Sequence, residues 1–412
     1  MNSNRFLVFL LYPFLGFINS IRFYRQTNAK TIFILFVGFY GYMITTPTTT
    51  DMDLKRRKEY FESYSKNEFT FSVKEFITEI NDDDSYFSDP FESFIMYTVS
   101  RFSTNARFLF FVYGILFALF FANNFWYILN KYNIILNKYN KIFFYSFILS
   151  IPFWSIGVFR FFFASQIFLF GLIRYIDQRK YIYLIFALLS LLVHFSFIYS
   201  VFILGIYILF NNKINLSFGF LLVSFFLSNL NISNISERFN FLPKAYQNKV
   251  QAYSQEDYVA DVMQTKMLSS NRWYLNAKNK SLQFAFLLLF LFIFLKRKFV
   301  LENSILSRYV NVAMISFGCC FLVINVPSMD RFFGLAYTLG SIVGLISLND
   351  FHNKLVPRAS YYPFLLLVGL YLIVEIRIGF DTIGLFTIFG NLPFLLLADS
   401  NIAIIEILKG GL

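Results

Sequence analysis

The chain has 412 residues, of which 57% are hydrophobic and only 15% are charged, and it carries a net charge of +12. A soluble domain of this length could not bury so much apolar surface, so the composition excludes an ordinary soluble protein. The aromatic residues lie inside the apolar runs, which argues against a nucleic-acid partner, and the excess of Lys and Arg is typical of the loops that orient membrane proteins. The predicted fold class is therefore an all-α polytopic membrane protein.

Apolar runs recur along the whole chain and predict about 12 to 13 transmembrane or partial helices in one integral membrane domain, 1–412. The predicted spans are 6–21, 31–46, 105–128, 142–157, 158–175, 181–193, 195–210, 214–230, 281–295, 305–325, 332–348, 361–377 and 382–398. The first run lacks a small-residue cleavage site, so we expect a retained helix rather than a signal peptide. Cys319 and Cys320 are adjacent in an apolar segment and are expected to be small buried side chains.

Basic residues follow the first, third, fifth, ninth and eleventh predicted spans. They are Arg22, Arg25 and Lys30, then Lys131, Lys138 and Lys141, then Arg174, Arg179 and Lys180, then Lys296, Arg297, Lys298 and Arg308, and finally Lys354 and Arg358. Because cytoplasmic loops are enriched in Lys and Arg, we predict that all of these segments face the cytoplasm.

The uncharged run 181–210 carries His194 near its middle. One helix of this length would be about 45 Å long, against about 30 Å of hydrocarbon, and a single crossing would put Lys296 on the wrong side. We therefore predict two short helices that meet at His194, with the imidazole at a break that faces a wet cavity on the outer side. The alternative is an interhelical hydrogen bond inside the membrane.

Two long polar segments, 47–90 and 231–280, are then predicted to be extracytoplasmic loops. The first contains more acidic than basic residues, and its stretch "FSVKEFITEI" has the spacing of a short amphipathic helix. In the second, "ISERF" is typical of a helix start with Ser236 as the cap. Trp273 in "NRWYLNAK" is typical of an interfacial aromatic belt, with sugar stacking as the alternative.

Five arginines fall at the outer ends of spans or in the second outer loop: Arg160, Arg331, Arg377, Arg238 and Arg272. Arg160 lies between Phe residues with no acid nearby in sequence, so it requires a partner from elsewhere, either an acid or a ligand. Guanidinium groups bind phosphate oxygens bidentately and stay charged, so this set beside one His predicts a site for a phosphate-bearing lipid. The alternative is a set of structural ion pairs, such as Glu375 with Arg377. No clustered ligands indicate a metal.

Several segments resemble, in the same order, the EpsG-like family of Wzy-type polysaccharide polymerases. They are "TTPTTTDMD" followed by Tyr60 and Phe61, "DPFESFIMYTVSRFSTNARFLFFVYGILFALFF", "FWSIGVFRFFFASQIFLFGLIRYI", "KYIYLIFALLSLLVHFSFI" and "DRFFGLAY". These segments extend over most of the chain from Thr45 to Leu348. Phe91 stands where the family usually has a small residue. The second outer loop does not align, so Arg238 and Arg272 depend on their charge alone.

The resemblance implies a GT-C-like glycosyltransferase of the bacterial cytoplasmic (inner) membrane, with its active site facing the periplasm. Such an enzyme transfers a growing glycan from undecaprenyl pyrophosphate to the terminal sugar of another lipid-linked repeat unit. It needs no cofactor or metal, and it can have a chain-length regulator as a partner. An O-antigen ligase-type transferase and a non-enzymatic transporter of lipid-linked oligosaccharides are the alternatives.

On this interpretation Arg160 and Arg331 stabilise the departing pyrophosphate, with Arg238, Arg272 and Arg377 as further contacts. His194 is the first choice for the base, because a neutral imidazole accepts a proton near pH 7. Asp51 and Asp53 are the competing choices.

Overall fold

The structure is a computed structural model that describes residues 3–45, 52–66, 90–228, 273–326, 328–350, 361–397 and 401–410. Within these ranges the secondary structure is helical apart from one isolated bridge between Gly384 and Ala403. The helices are α1 (Ser3–Leu11), α2 (Pro13–Arg22), α3 (Ala29–Tyr42), α4 (Met52–Ser65), α5 (Pro90–Ser100), α6 (Ala106–Lys131), α7 (Lys141–Ser150), α8 (Phe159–Gln178), α9 (Leu184–Val193), α10 (Ile198–Phe210), α11 (Ile214–Leu227), α12 (Trp273–Leu295), α13 (Arg297–Glu302), α14 (Ser304–Leu322), α15 (Phe333–Asp350), α16 (Tyr361–Gly379), α17 (Leu385–Phe389), α18 (Leu392–Leu397) and α19 (Ile404–Leu408). Single 3-10 turns lie at Phe153–Val158, Tyr181–Tyr183, Phe195–Phe197 and Met329–Phe332.

Six helical stretches in the described residues are long and apolar enough to cross a bilayer. They are Ala106–Lys131, Lys141–Gln178, Trp273–Leu295, Ser304–Leu322, Met329–Asn349 and Tyr361–Gly379. Shorter apolar helices occupy Ala29–Tyr42, Tyr181–Val193, Phe195–Phe210 and Ile214–Leu227. The prediction of an all-α polytopic membrane protein is confirmed at this level.

The described basic segments gather at one end of the helix bundle, which we call the basic end. Arg25 donates to the carbonyl of Ile134, in the loop between α6 and α7, at 2.9 Å. Arg308 donates to the carbonyl of Ile176, near the end of α8, at 3.0 Å. These segments therefore share one side, as their alternation along the chain predicts. Lys354 and Arg358 lie outside the described residues.

The other end, which we call the opposite end, collects the remaining helix ends. The Asn325 side chain after α14 donates to the carbonyl of Ser228 after α11 at 2.8 Å. The Thr45 amide after α3 donates to the carbonyl of Thr382 after α16 at 3.2 Å. The described segments that carry Arg160, His194, Arg331 and Arg377 lie at this end.

The stretch Lys141–Gln178 enters and leaves at the basic end. It breaks at Ile151 and Pro152, inside the predicted span 142–157, because proline cannot continue the hydrogen-bonded helix. The Tyr132 hydroxyl, in the loop before α7, donates to Asp177 in the last turn of α8. Both termini of the stretch are thus on the same side, as two predicted spans require.

The run 181–210 forms two short helices that meet at His194, and this prediction is confirmed. His194 is extended, with φ −155° and ψ 116°, and separates α9 from the 3-10 turn that begins α10. Both outer termini of the pair return to the basic end, where the Arg179 guanidinium lies 6.0 Å from the centre of the Tyr207 ring.

Two predicted spans are wrong. The run 6–21 is broken between α1 and α2, because Tyr12, with φ −140° and ψ 83°, leaves the helical conformation that the following proline disfavours. The run 382–398 forms only the short helices α17 and α18, each about 9 Å long or less, which cannot cross a bilayer.

Both loop predictions also need correction. The second outer loop cannot extend to residue 280, because α12 begins at Trp273. The first contains α4, which was not predicted. The stretches "FSVKEFITEI" and "ISERF" lie outside the described residues.

Close helix packing fixes the bundle at α3 and α6. A Cβ at Gly114 would lie 2.4 Å from the carbonyl oxygen of Val37, and one at Gly41 would lie 2.1 Å from that of Phe110. Small residues of this kind let transmembrane helices approach closely. Cys319 and Cys320 are buried free thiols, as expected.

Candidate functional site

Arg160 lies in the first turn of α8, directly after the 3-10 turn Phe153–Val158. Its Nε lies 3.0 Å from Oε2 of Glu92, and its side chain is 32% exposed. The partner that the sequence required is therefore an acid, and it comes from the first turn of α5.

The same carboxylate holds a second arginine. Arg57 of α4 donates through Nε to Oε1 of Glu92 at 2.7 Å and through Nη1 to the carbonyl of Gly157 at 2.6 Å. We call Arg57, Glu92 and Arg160 the Glu92 triad. Two guanidinium groups share one carboxylate, so the triad carries a net charge of +1 when all three groups are ionised.

A tyrosine completes the environment of Glu92. The Tyr113 hydroxyl donates to Oε1 at 3.2 Å, and its ring stacks on Phe159 with centroids 3.8 Å apart and an interplanar angle of 4°. Glu92, Arg57 and Tyr113 are all buried. Buried charges persist in membrane proteins when they are paired and hydrogen-bonded, as here.

His194 lies at the break between α9 and α10 and is half-buried. Its amide donates to the carbonyl of Ser190 at 3.0 Å, which ends α9. Its ring lies edge-on to Phe161, with centroids 5.8 Å apart. Because Phe161 follows Arg160 in α8, this contact brings the imidazole to the same end of α8 as the guanidinium.

Arg331 precedes Phe332 in the 3-10 turn Met329–Phe332, and the ring of Phe332 packs against that of Phe161. The rings of Phe161, Phe197 and Phe332, which we call the Phe161 cluster, lie with centroids 5.0 to 5.6 Å apart. Within the described residues no carboxylate lies within ion-pair distance of Arg331. The three distant segments that carry Arg160, His194 and Arg331 therefore pack together through His194 and the phenylalanines that follow the two arginines.

Arg377 belongs to a separate ion pair of the opposite end. Its guanidinium pairs with Asp381, one turn later, at 3.0 Å, and both side chains are about one-third exposed. Glu375 pairs instead with Lys278 of α12 at 2.7 Å, so the pairing of Glu375 with Arg377 that the alternative interpretation named is wrong. The indole of Trp154 donates to Glu375 at 3.4 Å. The turn Phe153–Val158 therefore contacts Glu375 through Trp154 and Arg57 through the carbonyl of Gly157.

Three predicted site residues, Asp51, Arg238 and Arg272, lie outside the described residues. The backbone of Asp53 lies in the first turn of α4, one helical turn before Arg57. Trp273 begins α12 and is 69% exposed, as an interfacial belt residue would be. Within the described residues no three His, Cys, Asp or Glu side chains are arranged to hold a metal ion.

Sequence reasoning missed Arg57 and Glu92. The signal for Arg57 was present, because the buried side chains Leu54, Phe61 and Tyr64 recur at helical spacing and Arg57 falls on the same face. Glu92 sits in the first helical turn after Pro90, at the helix start that its sequence predicts. What the sequence lacked was the long-range pairing of Glu92 with two arginines.

The arrangement brings two arginine-bearing segments and a half-buried imidazole together over a buried aromatic cluster. Such a combination suits an anionic head group attached to an apolar chain. Comparison of the chain with protein-family models, with curated proteins and with solved structures gives no match. The side chains and their placement therefore carry the functional conclusion.

Proposed function

We propose that this protein is a membrane glycosyltransferase of the Wzy polymerase type, with a GT-C-like architecture in the bacterial inner membrane. It transfers a growing glycan from undecaprenyl pyrophosphate to the terminal sugar of a lipid-linked repeat unit. The observation that supports this most is that the segments carrying Arg160, His194 and Arg331 pack together through Phe161 and Phe332, at the end away from the basic loops. By the positive-inside rule that end faces the periplasm.

The arginines act on the leaving group. Breaking the bond between the first sugar and the pyrophosphate leaves negative charge on the phosphate oxygens. Fixed guanidinium groups in a poorly hydrated site stabilise this charge more than they stabilise the ground state, and this difference lowers the barrier. Arg160 and Arg331 take this role in the proposal, since both lie beside the Phe161 cluster.

His194 acts on the acceptor. The hydroxyl oxygen of the acceptor sugar forms a bond to the anomeric carbon as the bond to the pyrophosphate oxygen breaks. The hydroxyl proton passes to the imidazole, and undecaprenyl pyrophosphate leaves with the electron pair. A neutral imidazole suits this step near pH 7. If Asp51 or Asp53 is the base, His194 contacts the phosphate or positions the acceptor.

Polymerisation by reconstituted protein tests the proposal. Purified protein in proteoliposomes, given lipid-linked repeat units, is expected to produce a ladder of glycans of increasing length. His194→Ala is expected to reduce the rate by about 10²–10⁴-fold, the usual contribution of a general base. Normal ladders from His194→Ala would end the base assignment.

The products separate the alternatives. A ligase-type transferase would attach a glycan to a different acceptor without forming a ladder. A transporter would move the lipid-linked units across the bilayer and form no new glycosidic bond. Either result would exclude the polymerase.

A further inference from the structure

We infer that Glu92 is a positioning residue that fixes the Arg160 guanidinium at the site, and that Arg57 of α4 fixes Glu92 in turn. This inference rests on the proposed function, because it assigns Arg160 the task of binding a pyrophosphate. It also gives a role to the described part of the first outer loop.

Glu92 is restrained through both of its oxygens. Oε1 accepts from Arg57 Nε at 2.7 Å and from the Tyr113 hydroxyl at 3.2 Å, while Oε2 lies 3.0 Å from Arg160 Nε. Rotation of the buried carboxylate would break contacts on both sides. Charge-assisted hydrogen bonds of this kind are stronger and more directional than neutral ones.

Glu92 holds Arg160 by Nε, the nitrogen that joins the guanidinium to the side-chain stem. A contact at this atom, together with the stem, sets the plane of the whole group. Geometry matters here because an arginine binds two phosphate oxygens with a planar fork. The side chain is one-third exposed, so its position at the boundary of the protein is set from the buried side.

Arg57 restrains Arg160 a second time through the backbone. Its Nη1 donates to the carbonyl of Gly157, three residues before Arg160, at 2.6 Å. One side chain of α4 therefore holds both the carboxylate that orients Arg160 and the turn that carries it. Leu54 and Phe61, both fully buried, secure α4 in this position.

Two other paired acids at the opposite end differ from Glu92. Glu375 pairs with one cation, Lys278, and Asp381 pairs with one cation, Arg377. Simple neutralisation of Arg160 would need only such a pair. A carboxylate that bridges two arginines fixes the geometry of both, beyond what neutralising one cation requires, and this difference makes the inference testable.

The decisive variant is Glu92→Asp, which keeps the charge and shortens the side chain by one methylene. The matched control is Glu375→Asp, the same change in another buried ion pair at the same end. We would measure the Kd of undecaprenyl pyrophosphate by native mass spectrometry of protein in nanodiscs. Glu92→Asp is expected to raise the Kd about tenfold and Glu375→Asp to leave it within about twofold. An unchanged Kd for Glu92→Asp would overturn the inference.

A double-mutant cycle tests whether Glu92 acts through Arg160. Arg160→Ala is expected to weaken binding, and adding Glu92→Asp to it should cause no further loss. Additive losses would mean that Glu92 acts on the fold and would overturn the inference. Thermal unfolding of each variant gives the accompanying change in stability.

Glu92→Gln provides a second readout if the shorter side chain prevents folding. This change raises the net charge of the triad from +1 to +2, so a purely neutralising Glu92 predicts tighter binding of the diphosphate. A positioning Glu92 predicts weaker binding despite the added positive charge. Tighter binding would overturn the inference.

The ladder assay separates this inference from the proposed function. Binding of the carrier with a non-additive cycle, but without a ladder, would keep the positioning role and exclude the polymerase. Absence of carrier binding by the wild-type protein would exclude the positioning role itself.

Discussion

The two ends of the bundle hold their charges in different ways. At the basic end, cations are bound by neutral groups: Arg25 by the Ile134 carbonyl, and Arg174 by Asn124 at 3.1 Å and by the ring of Phe170, whose centre lies 3.4 Å away. At the opposite end, Glu92, Glu375 and Asp381 each hold at least one cation.

This difference reflects two tasks. A carbonyl or a ring face orients a cation without cancelling its charge, so the basic end keeps the positive charge that sets orientation in the membrane. A carboxylate cancels charge and fixes geometry at once, and buried carboxylates are retained where geometry is needed. The Glu92 triad combines the two, since it is fixed and still cationic.

Reporter fusions provide the largest contrast between the ends. A reporter that is active only in the cytoplasm is expected to be active after Lys213 and inactive within 240–270. Lys213 precedes α11, which leads from the basic end to the opposite end. Equal activity at both positions would show that the two ends do not face opposite sides of the membrane.

Arg160→Lys sharpens the contrast at the opposite end. Lysine keeps the charge but loses the planar fork, so we expect ladder formation to fall about 10–100-fold. Arg25→Lys at the basic end is the matched control and should leave the rate unchanged. Equal ladders from Arg160→Lys would show that bidentate recognition is the wrong account.

Arg57→Met tests how firmly the triad holds α4. The change leaves a buried carboxylate with one cation in place of two. We expect the free energy of unfolding to fall by about 3 kcal/mol, the low end of the range for a broken buried pair, because Arg160 still compensates Glu92. Denaturant unfolding in detergent measures this value, and a loss below about 1 kcal/mol would count against a tightly held α4.

Arg25→Gln should have the smallest effect. Arg25 donates to Asn133 and to the Ile134 carbonyl near the surface, and such bonds contribute about 1 kcal/mol. The same unfolding measurement is expected to show a loss of that size, with ladder formation unaffected. A loss comparable to that of Arg57→Met would remove the distinction between the two ends.

The sequence predicted those features that depend on local length and chemistry. The break at His194 follows from a run too long for one helix and too short for two full spans. The need of Arg160 for a partner follows from its Phe neighbours. The breaks at Pro13 and Pro152 also have a local cause, because a proline restricts the residue before it, but both fall inside predicted spans, 6–21 and 142–157.

Features that depend on tertiary contacts were out of reach. Nothing local to Glu92 indicates that it bridges Arg57 and Arg160, which precede and follow it by many residues. The polar composition of "DLKRRKEYFESYS" concealed a helix whose buried face carries Leu54, Phe61 and Tyr64. In such segments docking on neighbouring helices, rather than overall hydrophobicity, determines the structure.

The bend at His194 also affects the surrounding lipid. With 13 residues, α10 rises about 20 Å, less than the thickness of about 30 Å of a bilayer core. Beside a helix this short, the bilayer thins, so that the thickness of its hydrocarbon core matches the length of the helix. Under the proposed function, a polyprenyl carrier diffusing in the outer leaflet would present its phosphates at the depth of the imidazole while its tail stayed among the acyl chains.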